Sequence, residues 1–412
     1  MKIRQHLPLA LFSATALGAL PQVSFAAGFM EDAKATLGLR NFYINRNFVD
    51  PANPQSKAEE WTQSFILDAR SGFTEGPIGF GVDVLGMWSV KLDGGGGTYG
   101  TGLLPRHDDG RPADDYGRLA VAGKARISKT ELKIGEWMPV LPILRSDDGR
   151  SLPQTFRGGQ VTSNEIAGLT LYGGQFRGNS PRNDASMDDM IYGGAASDRF
   201  NFVGGEYKFN QDRTLFGLWN AVLKDVYQQQ YLQVSHSQPV GSWTLGANLG
   251  YFQGDDDGAK RAGELDNKTY SGMFSAKVGG NTFYVGLQKV SGDTWMRVNG
   301  TSGGTLANDS YNASFDNANE RSWQARHDFN FTTVGVPGLT LMNRYISGRE
   351  VHSGAVTDGK EWVRESELAY VIQSGTFKDL SIKWRNSTIR RDFSSNEFDE
   401  NRLIFNYPLS LL

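Results

Sequence analysis

The chain has 412 residues, with 42 basic and 45 acidic side chains, a formal charge of −3 and no cysteine. That balance excludes a basic nucleic-acid binder, and the missing thiols exclude disulfides, thiolate metal sites and cysteine nucleophiles. Glycine reaches 50 residues and aromatics 12%, yet mean hydropathy is −0.42. Such a mixture rules out a bundle of apolar membrane helices and points to many short β-strands.

The first element in chain order is an export signal over residues 1–26. Lys2 and Arg4 supply its positive start, Leu7 to Leu20 its apolar stretch, and Ser24-Phe25-Ala26 the small residues of a cleavage site. An N-terminal anchor is the alternative, but the run is shorter than the roughly 20 residues a spanning helix needs. Residues 27–412 are then a single domain, exported and either soluble or a β-barrel.

Apolar residues alternate along the rest of the chain with a period of two, the signature of strands with one wet and one apolar face. Ile78, Phe80, Val82, Val84, Trp88, Val90 and Leu92 share one face, against Gly79, Gly81, Asp83, Ser89 and Lys91. The same scheme runs through 242–252, 267–278 and 400–412. Eighteen strands are expected, near 34–46, 61–73, 78–92, 116–128, 130–136, 159–165, 169–177, 198–209, 213–224, 226–237, 242–252, 267–278, 282–290, 321–331, 339–348, 361–372, 379–391 and 400–412. Alternation blurs between 159 and 237.

A sandwich also has one wet face per strand, so the connections decide. Tight ones at 74–77, 279–281 and 374–378 alternate with long polar ones at 93–115, 136–158, 178–197, 253–267, 291–320 and 348–361. Short turns on one rim and long loops on the other define an outer-membrane barrel. Lipid offers no hydrogen-bond partners, so the sheet must close. The expected fold is all-β: a transmembrane antiparallel β-barrel of 18 strands in the bacterial outer membrane, with an inward-folded constriction loop.

Lumen residues take the parity opposite the apolar face. That places Arg40, Asp68, Arg70, Lys124, Arg126, Lys383, Arg385 and Arg402 inside, and closure joins strands 17, 18, 1 and 2 into one basic wall. A guanidinium fork suits a carboxylate, so the wall reads as a ladder for small anions, although charged lumen residues also simply keep a pore wet. Segment 136–158 is too apolar and proline-rich for an exposed loop and is expected to fold into the lumen, placing Ser151 at the constriction. Asp293, Asp309 and Asp316 offer acids for the opposite side, and Asp309 is taken as the constriction acid. No cofactor or metal is implied. An enzyme, such as a barrel hydrolase, is poorly served: beyond the signal only His107, His236, His327 and His352 remain, with no Gly-x-Ser-x-Gly motif. A soluble adhesin is the other alternative, separated by detergent dependence.

Several stretches occurring in order resemble the OprD-type outer-membrane carboxylate channels: 35–43 (ATLGLRNFY), 71–105 with its Gly94–Gly97 run, 128–135 (SKTELKIG), 152–158 (LPQTFRG), 320–323 (ERSW) and 407–410 (YPLS). The resemblance implies a monomeric barrel, an inserted third loop and a basic ladder. Local match carries ladder roles to Arg40, Arg126, Lys383, Arg385 and Arg402, and to Arg70 more loosely. Lys383 stands where the family leads one to expect arginine, and the chain ends in Leu412 rather than an aromatic. Members of such a family take either basic amino acids and short peptides or aromatic and cyclic carboxylates. The short mature chain leans to the second, with benzoate-like acids, lactams and uronates all open. The implied partners are small carboxylate solutes and outer-membrane lipid.

Overall fold

The computed structural model describes residues 27–300 and 305–412; the expected export signal, 1–26, lies outside them. The barrel strands run in chain order as β1 (Lys34–Phe48), β2 (Lys57–Arg70), β3 (Gly79–Asp93), β4 (Asp115–Ile127), β5 (Thr130–Trp137) and β6 (Thr155–Ser163). They continue as β7 (Leu169–Ser180), β8 (Phe200–Phe209), β9 (Thr214–Leu223), β10 (Tyr227–Val240), β11 (Trp243–Asp256) and β12 (Asp266–Val278). The last six are β13 (Asn281–Gly292), β14 (Arg321–Asn330), β15 (Leu339–Ser353), β16 (Val356–Val371), β17 (Ser381–Arg391) and β18 (Phe398–Ser410). Each pairs antiparallel with its chain neighbours, and β1 pairs β18 from Thr36–Ser410 to Phe48–Phe398, so no edge is left open. All 18 expected strands are present.

The alternation has the expected cause. Phe80, Trp88, Leu245 and Phe274 point to lipid and are 44–56% exposed. Their neighbours Thr62, Ser64 and Ser89 point inward and are buried, Ser64 Oγ donating to Ser89 Oγ at 2.9 Å. Among the described residues no helix is long and apolar enough to cross a membrane; the strands cross it.

β1 begins and β18 ends at the rim of short turns, which makes that rim periplasmic and the long-loop rim extracellular. One connection differs from the expected pattern. Residues 348–361 form no long loop: β15 and β16 run on to a two-residue turn at Gly354-Ala355, with Gly354 at φ 58°. About 9–11 residues suffice to cross, so this hairpin stands in water, where neither face needs apolar residues and the alternation fades.

The blur between 159 and 237 has the opposite origin. There the inward face is apolar too: Phe176, Phe200, Phe202, Trp219 and Tyr231 belong, with Phe156 and Phe252 on either side of the range, to one buried cluster inside the lumen. Loop residues Leu141, Ile143, Leu144, Met190, Tyr192, Trp295, Met296 and Leu306 complete it. One half of the lumen is therefore packed like a globular core. A smaller cluster takes Leu103 and Leu104 of the 94–114 loop together with Leu152, Phe42 and Ile44, so that loop also folds inward.

Candidate functional site

Two loops bridge the lumen. The first, 138–154, leaves the aromatic cluster at Leu144 and reaches the opposite wall at Leu152. It is fastened along the way: Arg182 pairs with Asp147, Arg40 grips Asp148 with both Nη atoms (2.7 and 3.1 Å), and the Ser151 hydroxyl meets Thr62 Oγ1 at 2.8 Å. The second loop, 293–320, starts in the aromatic cluster at Trp295 and ends in a third one, where Phe315 packs with Ile346, Val363, Ile389 and Phe398. The passage is what remains between them.

Above this gap lies a cavity of about 770 Å³, lined by Asp147 to Arg150 on one side and Asp309 to Asn317 on the other. Below it lies a second of about 320 Å³, lined in part by Asn248, Ser271, Gln324 and Arg344. Asp309, Ser310 and Tyr311 border both and form the lip between them.

The cations gather around that lip. Tyr311 offers its ring to Arg385 at 3.9 Å, Arg344 at 4.7 Å and Arg402 at 5.9 Å. Burial pushes the Tyr311 phenol up to about 12, so it keeps its proton and donates to Glu367 Oε2 at 3.0 Å. Each guanidinium has a carboxylate: Arg385 has Glu367, Arg344 has Glu365 (2.6 Å), and Arg402 has Glu400 (2.6 Å). Arg402 also donates to Tyr311 O at 3.2 Å and Asn312 Oδ1 at 2.6 Å, holding the second loop to the wall.

Arg150 is different. It is 6% exposed and donates from Nε to Thr101 O and from Nη1 to Gly149 O, both at 2.8 Å, but forms no ion pair among the described residues. Burial, then the charges of Arg402 and Arg182, push its pKa well below the usual arginine value. It lines the upper cavity as a cation with no carboxylate in ion-pair contact among the described residues, Glu400 acting on it only from further off.

The expected ladder splits by height. Arg40, Arg385 and Arg402 stand at the constriction. Lys383, two residues nearer the periplasm than Arg385, has no ion pair among the described residues. Arg70 and Arg126 sit at the periplasmic rim: Arg70 is bound to Asp68 at 2.7 Å, and Arg126 lies 4.1 Å above the Phe73 ring. Ser151 is not on the passage, because its side chain is fully buried against Thr62. Of the three acids, Asp309 is on the lip, accepting from Ser314 Oγ at 2.8 Å, while Asp316 pairs with Arg297 at 3.1 Å and Asp293 accepts from Asp266 N at 2.9 Å. Arg46, Arg344, Arg150 and Tyr311 were not singled out. Strand parity would have found the first two, as Leu39 and Tyr43, and Leu341 and Tyr345, face out.

One carboxyl of the second loop is unusual. Glu320 is fully buried beside Glu361, whose own charge is met by Arg391 at 2.6 Å. Asn317 N and Nδ2 donate to Glu320 Oε2 at 3.1 and 2.8 Å. The space for Oε1 exists because residue 348 is glycine; a Cβ there would collide with it. Burial, then Glu361, raise the Glu320 pKa well above the ordinary carboxyl value. A raised carboxyl pKa stabilises the fold below the ordinary value, and the contribution is lost as pH rises through the folded value. Alkaline pH is therefore expected to loosen the 293–320 loop, and Glu320→Gln to flatten that dependence. Protease nicking of the loop across pH 5–9 checks this; identical profiles for both proteins sink it.

A closed 18-strand barrel whose lumen is narrowed by inserted loops defines a porin. The profile of the family described as "outer membrane porin, OprD family" matches residues 27–411, and the chain belongs to that family. It is a channel protein of the bacterial outer membrane and not an enzyme. It is similar to the porin-like protein GalP of Pseudomonas putida KT2440, 67% identical over 417 residues with both chains covered completely. Among solved structures it resembles the BenF-like porin of Pseudomonas fluorescens Pf-5, at TM-score 0.93 and 72% identity over 93% of this chain and 100% of that one. It also resembles Pseudomonas aeruginosa OccK2 (OpdF) in complex with glucuronate, at TM-score 0.87 and 66% identity with the same coverage.

Proposed function

We propose that this porin conducts small cyclic monocarboxylates, sugar acids foremost, with Arg150 and the Arg385–Arg402 pair guiding the carboxylate through the constriction. The observation that carries the reading is Arg150, a buried cation lining the passage without an ion-paired carboxylate among the described residues. An arriving anion supplies the missing counter-charge. At about 4 Å in a partly wet site such a contact is worth roughly 4 kcal/mol before desolvation is subtracted.

The neighbouring cations are already paired and attract less strongly, which lets the anion move on. Lys383, Arg126 and Arg70 then continue the basic path toward the periplasm. Asp309 on the lip adds a negative group beside the arginines, its backbone carbonyl accepting from Arg344 at 3.1 Å, so a solute with one charged end is turned as it passes. Asn248, Ser271 and Gln324 beyond the lip suit ring hydroxyls, and the glucuronate complex of OccK2 is consistent with that choice.

Swelling of proteoliposomes tests the reading with glucuronate against neutral glucuronamide, and benzoate against benzamide. Each acid is expected to permeate several-fold faster than its amide, with the advantage falling as salt screens the arginines. Equal rates for acid and amide would remove the carboxylate role.

A further inference from the structure

We propose that the lipid-facing surface of β13, β14 and β15 binds the phosphate groups of an outer-leaflet glycolipid. The site lies outside the pore and has no part in conduction.

The register places it. Leu287 pairs with Trp323 and Trp323 with Ser347, and the next outward row is Lys289, Arg321 and Arg349. Three cations thus stand directly side by side on three successive strands, an arrangement that repels itself unless an anion is present. Glu350 is the acid within the row, pairing with Arg321 at 3.0 Å and Arg349 at 3.8 Å. Lys289 has no ion pair among the described residues. Lys268 on β12 stands one outward position beyond the row, opposite Ser291, and Lys360 on β16 lies beside the irregular stretch of β15, with Asp266 and Asp358 two residues further from the membrane on the same strands.

Two further features fit a lipid headgroup. First, the row begins where the apolar band ends: the outward rings of Trp323, Tyr345 and Trp362 follow one another at 5.6 and 6.0 Å, the belt that marks a membrane boundary. Cations immediately beyond such a belt, on the extracellular side, stand at the level of the headgroups. Second, β15 carries an irregularity between Gly348 and Val351, with Glu350 at φ 61°. The left-handed, non-glycine backbone departs from the strand here, and a bulge of this kind re-aims side chains. The Arg321 and Arg349 side chains meet Glu350 through Nε and remain 48% and 68% exposed, which leaves guanidinium area for phosphate oxygens.

The test uses the purified full barrel in detergent, titrated with bisphosphorylated lipid A, its monophosphoryl form and the fully dephosphorylated glycolipid, with bound lipid counted by native mass spectrometry. Affinity is expected to fall stepwise with each phosphate removed. The triple variant Lys289→Gln, Arg321→Gln, Arg349→Gln is expected to bind lipid A ~10-fold more weakly while keeping wild-type conductance, since none of the three faces the pore. Millimolar inorganic phosphate is expected not to displace the lipid; displacement would make this a simple phosphate site and overturn the lipid assignment. Equal binding of phosphorylated and dephosphorylated lipid by the wild-type barrel overturns the proposal whether or not the variant folds.

Discussion

Replacing Arg150 by methionine is expected to make the barrel more stable and less selective at once. The guanidinium is buried, forms no ion pair among the described residues, and faces the charges of Arg402 and Arg182 with only Glu400 acting the other way. Its two hydrogen bonds go to carbonyls, which offset desolvation only in part. Apolar replacements of buried charges are often stabilising, by about 1–4 kcal/mol, and methionine adapts to irregular space. The same change removes the unbalanced positive charge on the passage, and the acid-to-amide permeation ratio should fall ~10-fold, a loss of about 1.4 kcal/mol of preference. Thermal unfolding in detergent and liposome swelling measure the two halves. High glucuronate should raise the unfolding temperature of the wild type and not of the variant. A variant that is destabilised and still selective would show that Arg150 is a structural residue.

Arg402→Ala is expected to fail in the other direction, losing both stability and order. Arg402 is 2% exposed and serves three partners: Glu400, Tyr311 O and Asn312 Oδ1. Without it, Glu400 keeps Arg46 at 2.8 Å and Asn312 Nδ2 at 2.9 Å, yet one half of its buried counter-charge is gone. Removing one partner of a buried ion pair commonly costs about 3–5 kcal/mol; the retained Arg46 puts the expected loss near 3. The lip at Asp309–Asn312 loses its tie to the wall, so single-channel records should become noisier and neutral solutes should pass faster. Arg402→Lys keeps the charge without the fork and should fall between. Quiet channels of wild-type conductance in the alanine variant would show that the loop is held by its apolar ends alone.

These contrasts also show which parts of the molecule were readable in advance. Strands that meet lipid on one face and water on the other announce themselves, and parity alone placed Arg40, Arg385 and Arg402 inside. Arg344 and Arg46 were open to the same argument. Parity says nothing inside a loop, where no period links residue number to direction. Ser151 and Arg150 are adjacent, but the serine turns to the wall and the arginine to the passage. The hydrophobic half of 136–158 did signal insertion, because Leu141, Ile143 and Leu144 have no place in water. The inward course of 94–114 was missed, as Leu103 and Leu104 are two apolar residues in a polar, glycine-rich stretch.

Two of the ties that hold the inserted loops lie at one place in the molecule's construction. Arg40 on β1 grips Asp148, and Arg402 on β18 grips Asn312, while β1 and β18 are the strands that meet to close the sheet. The first and last strands thus act as two jaws, each carrying a latch for a different loop. A barrel still open at this seam keeps the loops' apolar anchors but has neither latch set, and possesses no finished filter. Closure of the wall and completion of the gate are one event.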